Sequence, residues 1–141
     1  MPLRPGFDVH RFKDFGKDTL PGLVGIVFTE VSEGVIRGKV ELRKALLAPN
    51  GYLHAGTIVA FADTLAGYGC ISHLPANAQN FTTVELKANF LGTAQEGVLY
   101  GEARAVHLGR TTQVWDALVA HGEERRKLAL FRCTQLVLYP T

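Results

Sequence analysis

The stretch from Asn50 to Gly69, NGYLHAGTIVAFADTLAGYG, limits what this 141-residue chain can fold into more than any other. From about Ala55 to Cys70 nearly every position is apolar or small, so the segment reads as a helix with no polar stripe to turn toward water. The rest of the chain must cover such a helix on most of its sides. Asp63 stands in its middle. An ionised carboxylate in apolar surroundings is costly unless it is paired, hydrogen-bonded or shifted toward its neutral form. Two readings stay open: a structural carboxylate held by a hydroxyl such as that of Thr64, or a carboxylate tuned for chemistry.

The cover has to come from strands. Leu23 to Val31 and Val35 to Leu42 are rich in β-branched residues and flank the turn signal SEG, which predicts a hairpin. Pro49, Asn50 and Gly51 supply the turn that leads into the helix. Beyond it, FTTVELKANFL, GVLYGEARAVHL, RTTQVWDALVAH and KLALFRCTQLVLYP partly alternate apolar with polar residues. The short turns GTAQEG, LGR and GEER between them predict consecutive antiparallel strands. The order of two strands, one buried helix and four strands predicts an α+β fold in which a curved antiparallel sheet wraps the central helix. EGVIRG and EGVLYG read as similar strand openings, not as a repeat. Residues 1–141 are expected to form one domain, with 1–20 as an N-terminal extension.

Several classes of function find no support in the residues. Fifteen Lys and Arg residues are scattered over a chain of formal net charge +2, which offers no basic stripe for nucleic acid or an anionic membrane surface. The first twenty residues mix charges of both signs and contain no apolar run for a signal peptide or membrane span, so a cytoplasmic protein is expected. Cys70 and Cys133 lack metal-type spacing and read as reduced core thiols. His10, His54, His73, His107 and His121 show no paired spacing, so no metal is expected. There is no Gly-rich phosphate loop, and GxSxG is absent.

His54 stands where the helix begins, at the positive end of its dipole. Unsatisfied N–H groups near Ala55 and Gly56 can there polarise a carbonyl and stabilise an oxyanion. The other reading of His54 is a cap. Nine residues separate His54 from Asp63, a rise of about 13 Å along a helix. One chain cannot bring both to one substrate atom. If both serve one reaction, two helices lie antiparallel across a two-fold axis and the site belongs to a homodimer.

Asn50, then His54-Ala55-Gly56, then Asp63, followed by TTVELKANFLGTA and GEARAVHLGRTTQVWDALV, resembles the hotdog-fold thioesterases of the PaaI-like, or 4HBT, superfamily. The likeness runs from about Gly22 to Leu138. It implies hydrolysis of an acyl- or aryl-CoA thioester between two subunits, with Asp63 as nucleophile or general base. Ala55, where the family usually has glycine, would polarise the carbonyl through its N–H, and His54 would orient the thioester. Asn50, slightly nearer the histidine than in several relatives, would position substrate or water, and the Thr83 hydroxyl would assist the attacking water. Arg110, with His107 and Gly109 in the same turn, would hold CoA phosphates. The resemblance further implies a homodimer assembling as a tetramer, and no cofactor beyond the CoA of the substrate. The acyl pocket is expected around Phe61, Leu65 and Tyr68 together with strand residues across the interface, the other reading of these side chains being core filling. A hotdog dehydratase or hydratase is one alternative. A non-catalytic acyl-CoA binding protein, marked by Ala55, is the other.

Overall fold

The computed structural model describes residues 1–141. Three helices, α1 (Val9–Phe15), α2 (Leu20–Val24) and α3 (Ala55–Ser72), accompany six strands, β1 (Val27–Ser32), β2 (Val35–Glu41), β3 (Asn80–Phe90), β4 (Val98–Leu108), β5 (Thr112–His121) and β6 (Arg126–Leu138). A 3-10 turn at Lys44–Leu46 precedes α3. All strands pair antiparallel in one sheet of order β1-β2-β4-β5-β6-β3. The sheet curves around α3, which packs against β2 to β6. This is the α+β arrangement that the helix composition demanded. No helix is long and apolar enough to cross a membrane.

Period-two alternation turns Ile36 and Val40, Leu99 and Ala103, Trp115 and Val119, and Phe131 and Cys133 inward. There they meet Ile58, Phe61, Ala62, Leu65, Ala66 and Cys70 of α3 in one core. Burying each large apolar side chain contributes roughly 1.5–3 kcal/mol. Two glycines set how closely the layers approach. A Cβ on Gly69 would stand 2.7 Å from the Trp115 ring, and one on Gly101 would stand 2.6 Å from Phe61 and Leu65.

Three expectations need correction. The strand expected from Leu23 begins only at Val27, because Leu20–Val24 is helical. Pro21 in its first turn and Gly25 in the left-handed conformation (φ 86°) bound that helix. GTAQEG does not close a hairpin, because β4 pairs with β2 and β5 while β3 pairs with β6 from Asn80↔Leu138 to Phe90↔Ala129. Alternation identifies a strand but not its partner. The helix also continues two residues past Cys70, with the Ser72 hydroxyl satisfied by the Tyr68 carbonyl at 2.8 Å.

Residues 1–20 pack onto this body. Phe12 of α1 is buried between Phe28 and Tyr68, with ring centroids at 5.3 and 4.8 Å. At the far end of α3, the wholly buried His73 ties the helix to the β1–β2 turn. Its Nε2 accepts from the Gly34 N–H at 2.9 Å, so Nδ1 carries the proton and donates to the Gly69 carbonyl at 2.8 Å. Burial holds the pKa of His73 below its usual value.

Candidate active site

The start of α3 is fixed from the preceding loop. The Leu46 carbonyl accepts both the His54 N–H (3.2 Å) and the Thr57 hydroxyl (2.9 Å). Nδ1 of His54 accepts the Gly56 N–H at 2.7 Å, and the His54 carbonyl accepts from the Thr57 and Ile58 N–H groups. Of the four N–H groups that open the helix, these bonds use three and leave that of Ala55 free. Sequence reasoning grouped Gly56 with Ala55 as donors, but the His54 ring takes the Gly56 amide. Gly56 has a different reason to be glycine, since a Cβ there would lie 2.8 Å from His54 Nδ1. Ala55 is helical and needs no glycine freedom to present its N–H.

Asp63 lies on α3 about two and a half turns further on. Its Oδ1 is buried with no hydrogen-bond partner, and burial raises its pKa above the ordinary carboxylate value. The hydroxyl that a structural role would have used is engaged elsewhere, because Thr64 donates to the Ala60 carbonyl at 2.6 Å. Burial first, and the nearby Asp63 charge second, push the Cys133 thiol up to about 12, so it stays protonated and is a poor nucleophile.

Thr83 sits on the edge strand β3, and its hydroxyl donates to Gln135 Oε1 at 2.6 Å. Gln135 Nε2 in turn donates to the Cys133 sulfur at 3.4 Å. Cys133 is the buried free thiol that its lack of metal-type spacing predicts, whereas Gln135 is new to the site. The signal was a glutamine at an inward position of an otherwise apolar alternation in β6. Asn50 is exposed, and its Oδ1 accepts the Tyr52 N–H at 3.1 Å, so here it shapes the turn before α3.

The residues proposed for CoA lie elsewhere. His107 ends β4 and Gly109 closes the β4–β5 turn, its N–H donating to the Thr112 carbonyl at 2.9 Å. Arg110 follows, beside Pro75, Asn77 and Tyr139 around a cavity of about 430 Å³ beyond the C-terminal end of α3. Its guanidinium makes no hydrogen bond or ion pair within the protomer. Within one chain, therefore, the site residues fall into four places: the turn and start of α3, its middle, the edge strand β3 at Thr83, and the turn past the end of α3. No three His, Cys, Asp or Glu side chains come together as a metal site would require.

Of the two readings of Phe61, Leu65 and Tyr68, core filling is the one observed within the protomer. Phe61 and Leu65 are wholly buried between helix and sheet, and Tyr68 stacks on Phe28 under α1. These three fill the core. The accessible cavity near His54 and Gly56 is walled instead by Leu20 and Leu23 of α2.

Known proteins resemble this chain in sequence and in fold. The model of the thioesterase superfamily matches residues 50–127. A 1,4-dihydroxy-2-naphthoyl-CoA hydrolase of Listeria monocytogenes is 32% identical over 111 residues, which cover 79% of this chain and 89% of that protein. The crystal structure of a mutant thioesterase from Pseudomonas aeruginosa matches with a TM-score of 0.92 at 26% identity, over 99% of this chain and 100% of that one. The PaaI protein of E. coli shares the fold, with a TM-score of 0.80 at 21% identity over 94% and 91% of the two chains.

Proposed function

This chain belongs to the thioesterase superfamily, and from that premise we propose that it hydrolyses an acyl- or aryl-CoA thioester to the free acid and CoA. The observation that carries this reading is a mismatch within one protomer. A buried carboxylate oxygen with no partner and a free helix-terminal N–H lie on the same helix, too far apart to act together. Two copies related by a two-fold axis, with their α3 helices antiparallel, bring the Asp63 of one to the helix start of the other. The edge strand β3 favours such a pairing. Its outer backbone is unpaired, and Val84, Leu86 and Phe90 are exposed along it. This homodimer has two equivalent sites, and a tetramer would follow from its further association.

In the reaction, the thioester carbonyl accepts the Ala55 N–H at the positive end of α3. His54, held by the Gly56 N–H, fixes that end and orients the thioester. Asp63 from the other copy takes a proton from water, and the resulting hydroxide adds to the carbonyl carbon. The tetrahedral oxyanion is stabilised where the carbonyl was bound. On its collapse the C–S bond breaks, and the CoA thiolate leaves with the proton held by Asp63. A carboxylate whose pKa is raised by burial suits the role of general base, because it accepts that proton more readily. Thr83 and Asn50 would steady water or substrate around this step.

With the two helices antiparallel, the free Arg110 lies toward the helix start of the other copy. There its guanidinium, with His107 and the Gly109 turn, offers donors to CoA phosphates. No metal or bound cofactor enters the scheme. A cytoplasmic setting fits the two free thiols. The free N–H and helical backbone of Ala55 support catalysis over the binding-only alternative.

The test is release of CoA thiol from a panel of aryl and aliphatic acyl-CoAs by the parent protein and Asp63→Asn. Turnover of at least one substrate, lowered ~100-fold or more by the substitution, is expected for loss of a general base. Binding of acyl-CoAs without any turnover would replace this reading with the binding protein.

A further inference from the structure

The group that the enzyme would select on the acyl side has a place in the structure that neither the helix composition nor the motif suggested. A cavity of about 380 Å³ opens between α2 and the first two turns of α3, within the size range of small-molecule sites. His54, Gly56 and Ala60 line it on the α3 side, Leu47 lies in the connecting loop, and Leu20 and Leu23 form the facing wall.

Those two leucines are 56% and 68% exposed, whereas Val24 alone anchors α2 in the core at 4%. A five-residue helix that turns most of its apolar surface outward is not explained by its own burial. It is nevertheless held firmly. Arg43 donates to the Val24 carbonyl at 3.0 Å and to the Leu23 carbonyl, and Gly25 closes the helix. Arg43 also lines the cavity, and these bonds turn two of its guanidinium N–H groups toward the α2 carbonyls. What remains is a fixed apolar surface beginning at the residue whose neighbour, Ala55, carries the free N–H.

We propose that α2 is the acyl-selecting wall, with Leu20 and Leu23 as specificity-determining residues. A thioester whose carbonyl rests on the Ala55 N–H lays its acyl group along the cleft between α2 and α3. The substrate class is then an uncharged, apolar acyl group, a medium aliphatic chain or an aromatic ring. Charged acyl groups are disfavoured where they would lie against Leu20, Leu23 and Leu47, since those side chains offer a charge no partner. This inference rests on the thioesterase reading and adds its substrate class and the element that selects it.

The experiment compares kcat/KM for acetyl-, decanoyl-, benzoyl- and succinyl-CoA in the parent, Leu23→Trp, the double variant Leu20→Ala/Leu23→Ala, and Leu130→Ala on the opposite face of the sheet. The parent is expected to prefer decanoyl- or benzoyl-CoA to acetyl- and succinyl-CoA. Filling the cleft with Leu23→Trp should lower the preference for the larger group over acetyl at least tenfold. Removing the wall in the double variant should erode it by a factor of about 10–200, the range for lost apolar contacts in a pocket. Leu130→Ala should change nothing. Turnover in the parent with ratios unmoved by either α2 variant would overturn the inference and leave the thioesterase reading standing. Loss of dimer in the α2 variants, measured by light scattering, would make α2 an interface and overturn it equally. If the parent hydrolyses none of the panel, the thioesterase reading fails first and the inference with it.

Discussion

Asp63 concentrates the conflict between stability and chemistry in this molecule. Its native pKa is raised, so the folded state holds the proton more tightly than the unfolded chain. The favourable contribution is complete below the ordinary carboxylate value near 3.8 and is lost as pH rises through the higher native value. At neutral pH the ionised group therefore works against folding. We expect Asp63→Asn to raise the melting temperature at pH 7, by roughly 2–4 °C for each kcal/mol relieved, and the difference to shrink in acid. The same shift places the acid limb of kcat/KM above the usual carboxylate range. Calorimetry and a pH–rate profile check both, and a mutant less stable than the parent at pH 7 would return Asp63 to a structural role. The sequence made Asp63 legible, since a lone carboxylate in an apolar helix has to be explained. It did not make Gln135 or the free amide of Ala55 legible, because both depend on which neighbour takes which hydrogen bond.

At the scale of elements, His73 is the joint between α3 and the β1–β2 turn. Its native pKa lies below the ordinary value near 6.5, so the neutral ring is the stable form. That contribution is complete above pH about 6.5 and is lost as pH falls toward the lower native value, where the ring charges and can no longer accept from Gly34. Urea denaturation is expected to show stability falling between pH 7 and 5, and His73→Gln to flatten that slope while costing about 1–3 kcal/mol at pH 7. An unchanged slope in the variant would show that other groups set it. The strands β2 to β6 were legible because alternation survives in the residue order. The helical turn at Leu20–Val24 was not legible because five residues show too little periodicity to separate Leu23 and Val24 from a strand start, and the pairing of β3 with β6 was not because it joins segments some fifty residues apart.

For the whole molecule, the decisive question is whether one site draws on two chains. Asp63→Asn and His54→Ala are each expected to be nearly inactive alone. When the two are co-refolded, half of randomly formed dimers are mixed, and each mixed dimer has one complete site. Activity should then return to about a quarter of the parent's. Absence of rescue, with mixed dimers verified by mass spectrometry, would place the whole reaction within one chain. Residue order alone determined that a helix without a polar face must be wrapped by a sheet, that the helix starts at a donor-rich end, and that its carboxylate needs a purpose. These follow from periodicity, from the four unsatisfied N–H groups of any helix start and from the cost of burying charge, all of which are local in the chain. Only the tertiary structure decided that Phe61, Leu65 and Tyr68 fill the core, that the Ala55 amide is the free one, that β3 lies at an open edge, and that α2 turns Leu20 and Leu23 toward the cleft. Each of these depends on which distant segment arrives to cover a surface, and spacing along one chain does not encode that arrival.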